Sequence, residues 1–93
     1  MTSSSTTTLG SAPALQARWV EVASDHYFAL TPQDQLAVDG AVRRLLDDPD
    51  GPASSYDVGT DHWTTTAGDG RVLIIYIFRP TRPWLVILRL VVI

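Results

Sequence analysis

Arginine supplies all of the strong positive charge in this chain, and four of the seven arginines fall where there is no acid. Arg71, Arg79, Arg82 and Arg89 lie within residues 71–93, a +4 segment, whereas residues 1–70 hold all ten acids and three arginines, for −7. A guanidinium is a forked, permanently charged donor suited to carboxylates and phosphates. Arg71 follows Gly68-Asp69-Gly70 and opens an apolar run, so it is either a solubilising surface residue or a phosphate ligand. Arg89 shares strand parity with Leu85, Ile87, Val91 and Ile93, which points it at an otherwise apolar surface. An unpaired charge there is costly. It therefore calls for a partner, either an internal acid such as Glu21 or the phosphate of a substrate. Arg79 and Arg82 flank prolines in a loop, a solvated tip or a contact for a nucleic-acid backbone. His62, beside Asp61, is a surface histidine or a displaced general base with its tautomer fixed by the carboxylate. The two histidines and scattered acids lack metal-ligand spacing, so neither metal nor cofactor is expected.

These residues need elements to position them. Val72-Leu73-Ile74-Ile75-Tyr76-Ile77-Phe78 and Trp84-Leu85-Val86-Ile87-Leu88-Arg89-Leu90-Val91-Val92-Ile93 flank a short loop and predict a hairpin of two strands. Neither run alternates apolar with polar, so both faces of the hairpin require a cover. One cover is a helix. Thr31 is its N-cap, Pro32 its first residue, and Asp34 sits where a capping box places an acid. Leu36, Val38, Ala41, Val42, Leu45 and Leu46 then recur at helical spacing, and Asp47-Asp48-Pro49-Asp50-Gly51-Pro52 stops the run. Asp39, Arg43, Arg44 and Asp47 form its solvated face. Arg18 to Ala23 reads as a first strand, Ser24 to Leu30 as a loop or short helix, and Ser55–Val58 with Trp63–Thr66 as one or two strands. Tyr76, Trp19, Trp63 and Trp84 read as core or interface anchors. The class is α+β, a small antiparallel sheet with one or two helices on one face.

Composition narrows the rest. Ninety-three residues make one small domain, read here as residues 15–93 behind a Ser/Thr-rich tail, residues 1–14, too poor in large apolar side chains to order itself. There is no cysteine, which excludes disulfides and thiolate zinc sites. The tail lacks the basic start and apolar run of a secretory signal, and no stretch approaches a membrane span, so a cytoplasmic location is expected. The net charge of −3 alone argues against a nucleic-acid binder, but the basic hairpin reverses that.

The element order, with Trp19-Val20-Glu21-Val22, Val42-Arg43-Arg44-Leu45-Leu46-Asp47-Asp48-Pro49, Trp63, Asp69-Gly70-Arg71 through Tyr76, and Leu85-Val86-Ile87-Leu88-Arg89, resembles the RelE/ParE toxin superfamily of bacterial toxin–antitoxin pairs. The resemblance implies a RelE/ParE-like fold, a cognate antitoxin, and translation inhibition by ribosome-associated, metal-independent mRNA cleavage. It implies Arg71 and Arg89 as phosphate-facing cations; His62 or a tyrosine is left as a weak proton carrier. It departs at the end, where RNA-cutting members carry Arg, His or Tyr and this chain reads Leu90-Val91-Val92-Ile93. Two alternatives follow: a catalytically degenerate interaction module of the same fold, or a gyrase-directed ParE-like toxin.

The uncovered hairpin face, either Leu73, Ile75, Ile77 with Leu85, Ile87 and Ile93 or the opposite set, is expected to bind the antitoxin or a second copy of the chain. A free monomer that behaves well is not expected.

Overall fold

A computed structural model describes residues 15–79 and 81–93; the predicted tail, residues 1–14, lies outside them. The elements are β1 (Gln16–Trp19), α1 (Glu21–Phe28), α2 (Pro32–Asp47), β2 (Ser55–Asp57), β3 (His62–Ala67), β4 (Val72–Phe78) and β5 (Trp84–Val92). The five strands form one sheet in the order β1-β5-β4-β3-β2. Strands β2 to β5 are successively antiparallel, and β1 joins the far side of β5 in parallel, making the sheet mixed. Both helices belong to the hydrophobic cluster on one face.

Helix α2 begins as predicted. The Thr31 hydroxyl accepts the Asp34 amide and Pro32 occupies the first turn. The Asp34 carboxylate does not return to the cap; it is bonded to Arg71 instead. Val38, Ala41, Val42 and Leu45 form the buried stripe, but Leu36 is 71% exposed. It sits about 160° around the helix from Val38, on the solvent side. The predicted first strand is also corrected: it spans Gln16–Trp19, and Glu21 to Phe28 are helical. The β-branched residues there are outweighed by docking, since Ala23 is fully buried and α1 packs against β5.

The core lies between α2 and the sheet: Val72, Ile74 and Tyr76 from β4, Leu85, Ile87 and Leu90 from β5, with Ala23, Val38, Ala41, Val42, Leu45 and Ala67. Tyr76 is fully buried, and its hydroxyl donates to the Pro49 carbonyl and meets Ser54 Oγ, pinning the segment that follows α2 to the sheet.

Register decides which hairpin residues share a face. Phe78 pairs with Leu85, Ile77 with Val86 and Tyr76 with Ile87; then the register shifts, and Ile75 pairs with Arg89, Ile74 with Leu90 and Leu73 with Val91. Leu88 is the extra residue of a β-bulge. The set Leu73, Ile75, Ile77 therefore aligns with Val86, Arg89 and Val91 rather than with Leu85, Ile87 and Ile93.

Candidate functional site: the open face of the sheet

The bulge changes what Arg89 can do. Strict alternation would aim it at the core with Leu85 and Ile87. One inserted residue turns it to the opposite face, where it is exposed. The two salt bridges among the described residues are Arg71–Asp34 and Arg79–Asp61, so Arg89 is not paired with Glu21 or another acid. Beyond the end of β1, the outer edge of β5 is met by α1: the Leu90 amide donates to His26 Nδ1 at 3.3 Å. This fixes the backbone next to Arg89.

Around Arg89 the open face carries Leu73, Ile75, Ile77, Val86 and Leu88, all half-buried. The three strands that form this part of the sheet, β1, β4 and β5, contain no acid. Arg18 projects on the same face from β1, its guanidinium 3.7 Å from the Trp84 ring centroid. Neither side chain was singled out by sequence reasoning for this role, because their pairing depends on β1 lying parallel to β5. The contact holds a cation over an aromatic surface while leaving its charge unneutralised.

The other predicted site residues fall elsewhere. Arg71 bends toward the helix face and is ion-paired with Asp34, whose side chain is only 11% exposed. It clasps the β3–β4 turn to the start of α2 and does not converge with Arg89. His62 begins β3 on the open face, alternating with buried Thr65 and Ala67. Thr64 and Arg89 both pair with Ile75, so His62 stands roughly 12 Å from Arg89 in Cα, two strands across and two residues along. The pair can act on one chain of nucleotides but not on one atom.

Arg79 is turned to Asp61, which also accepts the Tyr56 hydroxyl. That hydroxyl first, and then the Arg79 guanidinium, holds the Asp61 carboxyl below the usual carboxylate range; the same bond raises the Tyr56 phenol. Arg82 is exposed in the β4–β5 loop. Together with Arg79 it edges a small hollow of about 120 Å³ floored by Ile77, Trp84 and Val86. No cluster of three potential metal ligands occurs among the described residues.

The arrangement can bind a polyanion: a phosphate reaching Arg89 meets a cation in a partly apolar setting, where charge interactions are stronger than in bulk water. The best-placed titratable neighbour on that face is His62.

No family model and no curated protein matches the sequence. Solved structures do. The isolated E. coli RelE toxin superposes with a TM-score of 0.74 over 85% of this chain and 84% of its own, at 11% identity. The intact E. coli RelBE toxin–antitoxin complex matches with a TM-score of 0.72, 83% of this chain, 94% of the matched chain and 12% identity. The archaeal RelE–RelB complex from Pyrococcus horikoshii gives 0.67, 85%, 94% and 15%. At such identities the likeness is one of architecture: this chain has the RelE fold, two helices on one face of a five-stranded sheet whose other face is open.

Proposed function

We propose that this protein is the toxin of a toxin–antitoxin pair and that it acts in the cytoplasm on mRNA at the ribosome through the open face of its sheet. The observation that carries this reading is Arg89, a cation displaced by a bulge onto an apolar, acid-free surface with no salt-bridge partner among the described residues. Arg89 neutralises a backbone phosphate, and Arg18 and Arg82 extend the positive track along the face. In the cleavage step the ribose 2′-oxygen attacks the adjacent phosphorus and the 5′-oxygen leaves, giving a cyclic phosphate. His62 takes the 2′-hydroxyl proton from its position across the sheet, and the leaving oxygen is protonated from water. Because His62 and Arg89 are separated, binding is the stronger activity and cleavage the slower one. Arg71 supports the site indirectly, by holding the β3–β4 turn on Asp34.

The apolar residues of the same face favour a second role, docking of the cognate antitoxin, which would mask Arg89. The likeness to RelE chains solved with RelB supports it.

Primer extension on a defined mRNA during in vitro translation tests the reading. Ribosome-dependent stops are expected with the wild-type chain and should fall at least about tenfold in Arg89→Ala. An intact message with unimpaired translation would eliminate the proposal and leave an interaction module of the RelE fold.

A further inference from the structure

On the other side of the sheet, where α1, α2 and β1 meet, lies a pocket of about 260 Å³ lined by Trp19, Ser24, Tyr27, Phe28 and Asp39. Its walls are aromatic and nearly perpendicular. Trp19 and Tyr27 have centroids 5.4 Å apart at 69°, and Tyr27 and Phe28 5.5 Å apart at 83°. With Tyr27 edge to face with both Trp19 and Phe28, rings of different orientation line the same volume, and each ring face carries the negative end of its quadrupole. The remaining polar wall is a carboxylate. Asp39 Oδ1 accepts the Tyr27 hydroxyl at 2.9 Å; Oδ2 makes no hydrogen bond among the described residues.

The surroundings remove the alternatives to positive charge. No basic side chain lines the pocket. Arg43, one helical turn beyond Asp39, forms no salt bridge with it. His26, next to Tyr27, has its Nδ1 committed to the Leu90 amide. Two further acids, Glu21 and Asp25, lie on α1. Phe28, 76% exposed, is an apolar ring left in water that a ligand would cover.

We propose that this pocket is a binding site for an organic monocation, an alkylammonium or guanidinium head group. The head lies against the Trp19, Tyr27 and Phe28 rings and is neutralised by Asp39. The site is independent of the RNA-facing reading, since it faces away from Arg89 and uses none of its residues. Asp39 holds Tyr27 through one oxygen and meets the cation with the other. Hydrogen bonding to Asp39 raises the Tyr27 phenol, which therefore remains a donor, keeping that oxygen occupied and the ring in place.

The test is a titration of the full chain followed by ¹H–¹⁵N spectra, reading the Trp19 indole signal, assigned through Trp19→Phe. Choline chloride is compared at constant ionic strength with 3,3-dimethylbutan-1-ol, which has the same shape and no charge. Choline should shift the Trp19 signal saturably and bind at least about tenfold more tightly than the alcohol. Asp39→Asn, which keeps an acceptor for Tyr27, should weaken choline about tenfold. Phe28→Ala, at a residue too exposed to matter for folding, should weaken it several-fold. Equal binding of choline and the alcohol would overturn the proposal, leaving an unselective apolar cleft. So would the absence of saturable binding by both choline and ethylguanidinium. A capped peptide with a single arginine separates the sources: tighter binding than ethylguanidinium identifies a protein side chain, weaker binding a free cation.

Discussion

The two faces of this sheet are built from the same two strands and have opposite fates. Alternate residues of β4 go to the helices and disappear from solvent: Val72, Ile74 and Tyr76 are fully buried. Their neighbours Leu73, Ile75 and Ile77 are as apolar but remain only half-buried on the open side. Hydrophobic character alone therefore does not distinguish what holds the fold together from what is held ready for a partner. Position relative to α2 does. The two arginines repeat the lesson. Arg71 turns toward the helices and is consumed by Asp34, while Arg89 turns away and keeps its charge available.

The largest expected effect comes from truncating each face in turn. Leu45→Ala, beneath the sheet at 1% exposure, should cost about 3 kcal/mol in urea denaturation. Ile75→Ala should cost about 1 kcal/mol or less, since its side chain is already partly in water. Comparable losses would mean that the open face is covered in solution by another copy, a result that size-exclusion chromatography would then show directly.

A smaller difference should separate the arginines. Asp34→Asn should lower stability by about 1 kcal/mol, since the pair is half exposed at Arg71 and partly screened. Arg89→Ala should fall within about 0.5 kcal/mol of the parent, as expected for a surface residue outside any ion pair. An Arg89 variant as damaging as Asp34→Asn would break the comparison and assign Arg89 to the fold.

The smallest effect is a pH dependence at the edge of the sheet. Asp61 is held low by the Tyr56 hydroxyl and by Arg79, so its folded pKa lies below its unfolded one. Its contribution is present above the ordinary carboxylate range and is lost as pH falls through the folded value. Asp61→Asn should remove a small part of the acid-side slope and return the Tyr56 phenol toward its ordinary range in an absorbance titration. An unchanged acid limb and phenol titration would show that the Tyr56–Asp61–Arg79 contact does not persist in water.

Much of the frame was legible in the sequence because it is local. Thr31 and Pro32 mark the start of α2, and the unbroken apolar runs announce a hairpin that needs cover on both sides. The features that failed to show are set at long range. Val20 to Ala23 look like strand, but docking against β5 makes Val20 the N-cap and Glu21 to Ala23 the first turn of α1. Leu36 is an exception of a local kind: two residues before Val38, it falls outside the three- and four-residue rhythm of Val38, Ala41, Val42 and Leu45, and its spacing already set it on the other side of the helix. The bulge had a signal that parity reasoning turned the wrong way. An arginine at a core position of an otherwise apolar strand was itself the reason to expect an inserted residue beside it. The Asp34 partner of Arg71 and the aromatic pocket join segments that only folding brings together.

The pairing of β1 with β5 has a consequence for how the molecule forms. The first described strand lies parallel to the last, Gln16 beside Trp84 and Trp19 beside Ile87, so the strand occupying the second place in the sheet is made after the four it joins. Until β5 is made, β1 has no strand to pair with, α1 lacks the strand it packs against, and Arg89 has no face to stand on. Closing a loop of nearly the whole described chain is entropically costly and slows the final step of folding. The interval between synthesis and a complete open face is then a kinetic property of the strand order, during which the nascent chain lacks the surface proposed to act on RNA.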